Sequence, residues 1–118
     1  MNREKVVTAV IIASILLIAG IIIYSKSAGN PTIPSEQVSR YIGEHSILYV
    51  QTGCIHCTEQ EELFGENVKY LNMIDCLQDT QACINASIDA TPTWVINNEK
   101  YVGVQSVEKL KQLTNYQK

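Results

Sequence analysis

No internal repeat and no low-complexity tract runs through these 118 residues, so repeat architectures are excluded and there is room for one small domain. Basic residues are scarce over most of the chain. From Glu36 onward six Lys or Arg stand against eleven Asp or Glu, net −5. That balance argues against nucleic acid and against anionic lipid as partners. Charge is missing altogether from Val6 to Tyr24, nineteen consecutive residues. A second C-x2-C pair is missing too: the four cysteines are spaced as Cys54-x2-Cys57 and Cys76-x6-Cys83. A zinc ribbon needs two close pairs, so this spacing disfavours zinc.

The uncharged run is the first thing that is present. As a helix it would extend roughly 28 Å, close to the hydrocarbon thickness of a bilayer. A cleaved signal peptide carries a shorter apolar stretch of about 7–15 residues, and the only small-residue site here, "SKS" at Ser25–Ser27, has a charge in its middle. A membrane anchor is therefore the expectation over residues 1–24. Arg3, Lys5 and the amino terminus precede the run, and Lys26 alone follows it closely. The positive-inside tendency then keeps the amino terminus in the cytoplasm and puts the rest outside, as a single-pass protein of the cell membrane. Four cysteines suit an extracytoplasmic setting, where disulfides persist. "SKSAGNPTIPS", residues 25–35, is rich in Ser, Gly and Pro and is expected to be a linker.

Residues 36–118 carry the chemistry. "SEQVSRYIGEH" predicts a helix capped by Ser35, and "SILYVQ" a central strand. "CIHCTEQEELFG" predicts a helix with Cys57, Gln60, Leu63 and Phe64 on one side and Gly65 as its stop, its acidic residues forming a solvated face. "VKYLNMID", Val68–Asp75, predicts a second strand. "QDTQACINASI" predicts a short helix that packs through Ala82, Ile84 and Ile88. "TWVINNEKYVGV" predicts a hairpin turning at Asn97-Asn98, and Ser106 caps a last helix. Strand, helix, strand, helix, hairpin and helix make a small α/β fold: a mixed four-stranded sheet flanked by helices.

In that order Cys54 falls where a central strand ends and a helix begins. A helix amino terminus offers unpaired N–H groups and partial positive charge, both of which favour a thiolate. Cys57 lies one turn on and can close a disulfide with it, while His56 could stabilise the thiolate by donating its N–H. A stabilised Cys54 thiolate is a good leaving group, so the pair should exchange readily with protein thiols. Cys76 and Cys83 are expected to pair as a structural staple, with an electron relay as the alternative. Thr91-Pro92 would lie opposite Cys54, and a cis bond there would turn the Thr91 backbone toward the sulfur. Trp94 is expected in the core.

At these residues the chain resembles the thioredoxin superfamily. Within it, "PTWVINNEKYVGVQSVEKL" is similar to the thioredoxin-like domain associated with bacterial and plant homologues of vitamin K epoxide reductase. Pro92, Thr93, Trp94, Ile96, Asn97, Tyr101, Gly103, Gln105 and Ser106 carry that likeness, and "CTEQEELFG" and the Cys76 and Cys83 pair extend it. The resemblance spans about Ile47 to Leu113. It implies a thioredoxin fold, a nucleophilic Cys54, a resolving Cys57 and a cis-Pro92 beside them. It also implies a quinone-linked, vitamin K epoxide reductase-like membrane partner, here a separate chain, that reoxidises the domain. Ile55 stands where proline is usual, Asn98 where glycine is usual in the turn, and Leu48 where thioredoxins carry a buried aspartate. The expected function is a thiol–disulfide oxidoreductase acting on cysteine-containing proteins, preferably forming disulfides, with no cofactor and no metal. The alternatives are a zinc- or copper-binding module built on the four cysteines, or a thiol reductase or isomerase on the same fold.

Overall fold

The computed structural model describes residues 2–27 and 32–118 and divides into two compact units, residues 1–32 and 33–118. The first is one helix, α1 (Arg3–Ser27). Its stretch Arg3–Ile23 is long and apolar enough to cross a membrane, and its Ile, Leu and Val side chains all face outward. The two hydroxyls inside it bond back to their own helix, Thr8 Oγ1 to the Glu4 carbonyl at 2.7 Å and Ser14 Oγ to the Val10 carbonyl at 2.9 Å. Each of these hydroxyls thus spends its proton within the helix, as a lipid-facing position would require. The expected linker, residues 25–35, lies only partly within the described residues. Ser25–Ser27 are helical, and residues 28–31 of it lie outside the described residues. At its other end Pro34 is buried, its carbonyl accepting from Asn67 Nδ2 at 2.9 Å. The second unit thus begins at Ile33, three residues ahead of the expected boundary.

Ser35 caps α2 (Glu36–Glu44), accepting the Val38 N–H. This helix buries Ser39, Ile42 and Gly43. Glycine is required at position 43 because a methyl group there would collide with the Tyr70 carbonyl. Next come β1 (Ile47–Val50), α3 (Ile55–Glu62), a 3₁₀ segment (Gly65–Tyr70), β2 (Met73–Asp75) and α4 (Thr80–Asn85). The hairpin β3 (Thr93–Ile96) and β4 (Glu99–Val102) and then α5 (Val107–Leu113) complete the fold. The sheet order is β2-β1-β3-β4, with β1 and β2 parallel and the other neighbours antiparallel. Asn97 and Asn98 both have positive φ, 51° and 64°, as a two-residue hairpin turn demands.

The core is Ile42, Leu48, Val50, Cys57, Phe64, Leu71, Trp94, Ile96 and Leu110. It joins α2, α3 and α5 to the two central strands. Two expected elements differ. The strand expected over Val68–Asp75 is confined to Met73–Asp75. Gly65 takes a left-handed φ of 53°, the chain winds into the 3₁₀ turns, and it is Leu71 that reaches the core. In α4 the residue turned inward is Cys83, while Ile84 is 62% exposed. A helix of six residues has one inward position, and the disulfide takes it.

Candidate functional site

β1 ends at Val50, and the turn Thr52-Gly53, with Gly53 at φ 87°, leads directly into α3. Cys54 is the N-cap of that helix, extended at φ −82° and ψ 116°. Its Sγ accepts the Cys57 N–H at 3.2 Å. This is the place a Ser or Asp oxygen occupies at other helix starts, so the sulfur receives the helix's first free donor. Cys54 and Cys57 form a disulfide. The two sulfurs are not equivalent. Cys54 is half-buried, while Cys57 is 2% exposed and packs in the core. An incoming thiolate can reach only the first.

The second wall of the site is the segment ahead of β3. The Thr91–Pro92 peptide is cis, and Pro92 is buried. Thr91 Oγ1 donates toward Cys54 Sγ at 3.7 Å, and the Thr91 carbonyl oxygen lies 3.6 Å from the same sulfur. The Pro92 carbonyl accepts the Gly103 N–H at 2.8 Å, which ties this segment to the end of β4. Cys54, Cys57, Thr91 and Pro92 are therefore brought together, from positions nearly forty apart in the chain.

His56 is not part of that group. Its ring is 71% exposed, and its Nδ1 is 2.8 Å from Glu59 Oε2. The expected N–H to the Cys54 sulfur is replaced by a contact along the outer face of α3. His45, at the other end of the chain's two-histidine inventory, stacks on Tyr41 with centroids 4.0 Å apart.

Cys76 and Cys83 pair with each other where β2 ends. The Cys76 N–H bonds to the Val50 carbonyl at 2.8 Å, so this disulfide hangs from the same end of the sheet as the first. One wall of a cavity of about 380 Å³ is formed by this disulfide, and the opposite wall by Ala90 and Thr91. All four sulfurs are thus joined in pairs.

Two features escaped the sequence reading. The first is Gln60, placed on the right face but given no task. It is fully buried, and its Oε1 accepts the Trp94 Nε1–H at 2.9 Å and the Gln105 N–H at 2.7 Å. Its Nε2 donates to the Gln105 carbonyl at 3.1 Å. The amide thus locks the helix carrying Cys57 to β3 and to the start of α5. The signal was available: a lone buried tryptophan needs an acceptor for its N–H. The second is a pair of carboxylates. Asp75 accepts from the Thr52 hydroxyl, from the Thr52 N–H at 3.4 Å and from the Leu77 N–H at 2.9 Å. The Thr52 hydroxyl bond, with the Leu77 N–H behind it, holds Asp75 below the usual carboxylate range. Glu61, on α3, is pushed the other way, first by burial and then by the Asp75 charge. Glu61, half-buried, departs from the solvated face expected of the acidic residues in this stretch.

No family model matches the chain. It is 35% identical over 78 residues to the thiol-disulfide oxidoreductase LTO1 of Arabidopsis thaliana, an alignment covering 58% of this chain. The chain spans about a fifth of that relative's length, 21%. That identity joins a C-x-x-C disulfide at a helix start and a mixed four-stranded α/β sheet. Over that stretch the chain is similar in sequence to a thiol-disulfide oxidoreductase. Among solved structures, one similar chain is the NTD_N/C domain of alkylhydroperoxide reductase AhpF from Enterococcus faecalis. It aligns at 15% identity with a TM-score of 0.46, over 72% of this chain and 45% of that one.

Proposed function

We propose that this chain is a membrane-anchored thiol–disulfide oxidoreductase of the thioredoxin superfamily. Its anchor is residues 1–24, its linker 25–35 and its working domain 36–118, held outside the cytoplasm. The observation that carries the reading is the Cys54 sulfur at the head of α3, accepting the Cys57 N–H while its partner is buried. A helix-capped sulfur is stabilised as a thiolate, and a stabilised thiolate leaves readily when a disulfide is exchanged. The 35% identity to a protein named as a thiol-disulfide oxidoreductase supports the same chemistry.

In the oxidising direction a substrate thiolate attacks Cys54 Sγ, the Cys54–Cys57 bond breaks, and Cys57 leaves with the electron pair. A second substrate thiolate then attacks the substrate sulfur of the mixed disulfide and releases Cys54 as its thiolate. The substrate gains a disulfide and the pair is left reduced by two electrons. The motif likeness around Trp94 and Tyr101 supports a vitamin K epoxide reductase-like, quinone-linked membrane protein as the acceptor of those electrons. Secreted proteins with unpaired cysteines are the substrates that an extracytoplasmic position implies.

Cys54→Ser in the full-length protein should abolish oxidative refolding of a reduced test protein and disulfide exchange with glutathione. Unchanged turnover would refute the assignment. The equilibrium potential of the pair against glutathione sets the direction: about −120 mV marks an oxidant and about −270 mV a reductant. Accessibility of a reduced Cys54 to a membrane-impermeant thiol reagent in intact cells tests the orientation, and protection from it would put the domain in the cytoplasm.

A further inference from the structure

Breaking the Cys54–Cys57 bond leaves a thiolate at a place poorly made for one. Cys57 is 2% exposed and packed among Leu48, Phe64 and Trp94, so its charge has little access to water. An anion there must take up a proton, and re-forming the bond must remove it again. The first strand offers no help, because the β1 side chains in this core are Leu48 and Val50, neither of which carries an exchangeable proton. The helix does. Glu61 lies four residues after Cys57 within α3, and residues four apart on a helix are neighbours. Long helical side chains also lean back toward the helix start, over the residue four before, which sends the Glu61 carboxyl toward Cys57.

We propose that Glu61 is the group that exchanges a proton with Cys57 each time the Cys54–Cys57 bond opens or closes. The inference rests on the thiol-exchange reading above. Two further observations support it. Glu61 is partly buried, and among the described residues its carboxyl holds no hydrogen bond, so its proton is not committed elsewhere. Asp75, across on β2, is committed to Thr52 and Leu77 and stays ionised. Burial first, and the Asp75 charge second, keep Glu61 protonated to higher pH than an ordinary glutamate. Two neighbouring carboxyls driven apart in this way divide the labour: one stays an anion and the other carries the proton.

The closing step balances as follows. With a glutathione mixed disulfide on Cys54, the Glu61 carboxylate takes the Sγ–H proton of Cys57. The Cys57 thiolate attacks Cys54 Sγ, the bond from Cys54 to glutathione breaks, and glutathione departs as a thiolate with the electron pair. The opening step is the reverse, with the Glu61 carboxyl protonating Cys57 as it leaves. Glu61 consumes nothing and returns to its starting state after one full cycle.

Mixing the reduced full-length protein in detergent with oxidised glutathione separates the two events. The first phase, mixed-disulfide formation by Cys54, depends on glutathione concentration; the second, closure by Cys57, does not. Glu61→Gln should leave the first phase alone and slow the second by roughly 100-fold near pH 6–7, the lower end of the range for general acid–base catalysis. The gap should narrow as pH rises toward the point where Cys57 ionises unaided, and Glu61→Asp should restore part of the rate. A Glu61→Gln second phase equal to wild type across that pH range overturns the proposal, as does equal slowing of both phases, which marks a structural disturbance. Absence of the first phase in the wild-type protein would instead sink the thiol-exchange reading itself.

Discussion

Two disulfides hang from the same end of this sheet, each following one of its two parallel strands, and they are built for different lives. After β1 the helix begins with a cysteine: Cys54 is the cap, and its sulfur receives the Cys57 N–H. After β2 the helix begins with a carboxylate: Asp79 is the cap of α4, its Oδ1 accepting the Ala82 N–H at 3.0 Å. The Ala82 N–H of α4 is already taken by Asp79, so neither Cys76 nor Cys83 receives it. Cys83 also sits inside α4 and is buried, while Cys54 stands at the edge of its helix beside Thr91. On the proposed reading, the same covalent bond is an exchange centre in one place and a clamp in the other. What separates them is which atom the helix start is given to hold.

The sharpest way to break that contrast is to remove each pair in turn. Cys54→Ser abolishes exchange, whereas the double change Cys76→Ala and Cys83→Ala should keep the exchange chemistry at Cys54. Loss of mixed-disulfide formation in the second variant, with the fold intact by circular dichroism, would make the second pair a working relay. Next in size is the lock behind the first pair. Gln60→Leu strands the Trp94 and Gln105 N–H groups in the interior, at roughly 1–3 kcal/mol for each unsatisfied group. Urea unfolding should show a loss of about 2–4 kcal/mol in total, and a loss below about 1 kcal/mol would remove Gln60 as a keystone. The clamp comes after it: losing the Cys76–Cys83 closure should cost about 2.5 kcal/mol in the chain-entropy account, read in the same unfolding experiment under non-reducing conditions.

The smallest effects are pH-dependent and have opposite signs. Asp75 is held below its ordinary range when folded, so it contributes stability above that range, and the contribution is lost as pH falls through the folded value. Asp75→Asn should therefore be less stable than wild type at neutral pH and converge with it in acid. Glu61 is raised when folded, so its ionisation opposes folding as pH rises through that raised value. Glu61→Gln should be slightly more stable than wild type above it, and the two should coincide below the ordinary carboxylate range. Thermal melts from pH 3 to 8 measure both, and parallel curves would remove the pair from the electrostatic account.

Much of this was legible along the chain because the signals are local. Ser35 and Ser106 do cap α2 and α5, and Asn97-Asn98 does make the hairpin turn, since caps and tight turns depend on a few adjacent backbone angles. Cys54 at a strand-to-helix junction was legible for the same reason. The misplaced features are those decided by distant partners. An apolar run at Val68–Leu71 fits a strand or a 3₁₀ turn equally well, and Gly65 and the core position of Leu71 choose between them. His56 was read as serving its neighbour in sequence, but side chains on a helix meet three or four residues away, and Glu59 is there.

The amino-acid sequence alone determined the apolar helix at the amino terminus, the acidic domain behind it, the order of strands and helices, and a cysteine at the cap of α3. These follow from hydrophobic period, charge count and capping, which need no knowledge of what lies across the fold. Only the tertiary structure decided that Gln60 closes the interior around Trp94 and that Glu61 shares its surroundings with Asp75. Each of those depends on which elements the sheet brings side by side, and a hydrogen bond or a charge acts across space whatever the separation along the chain.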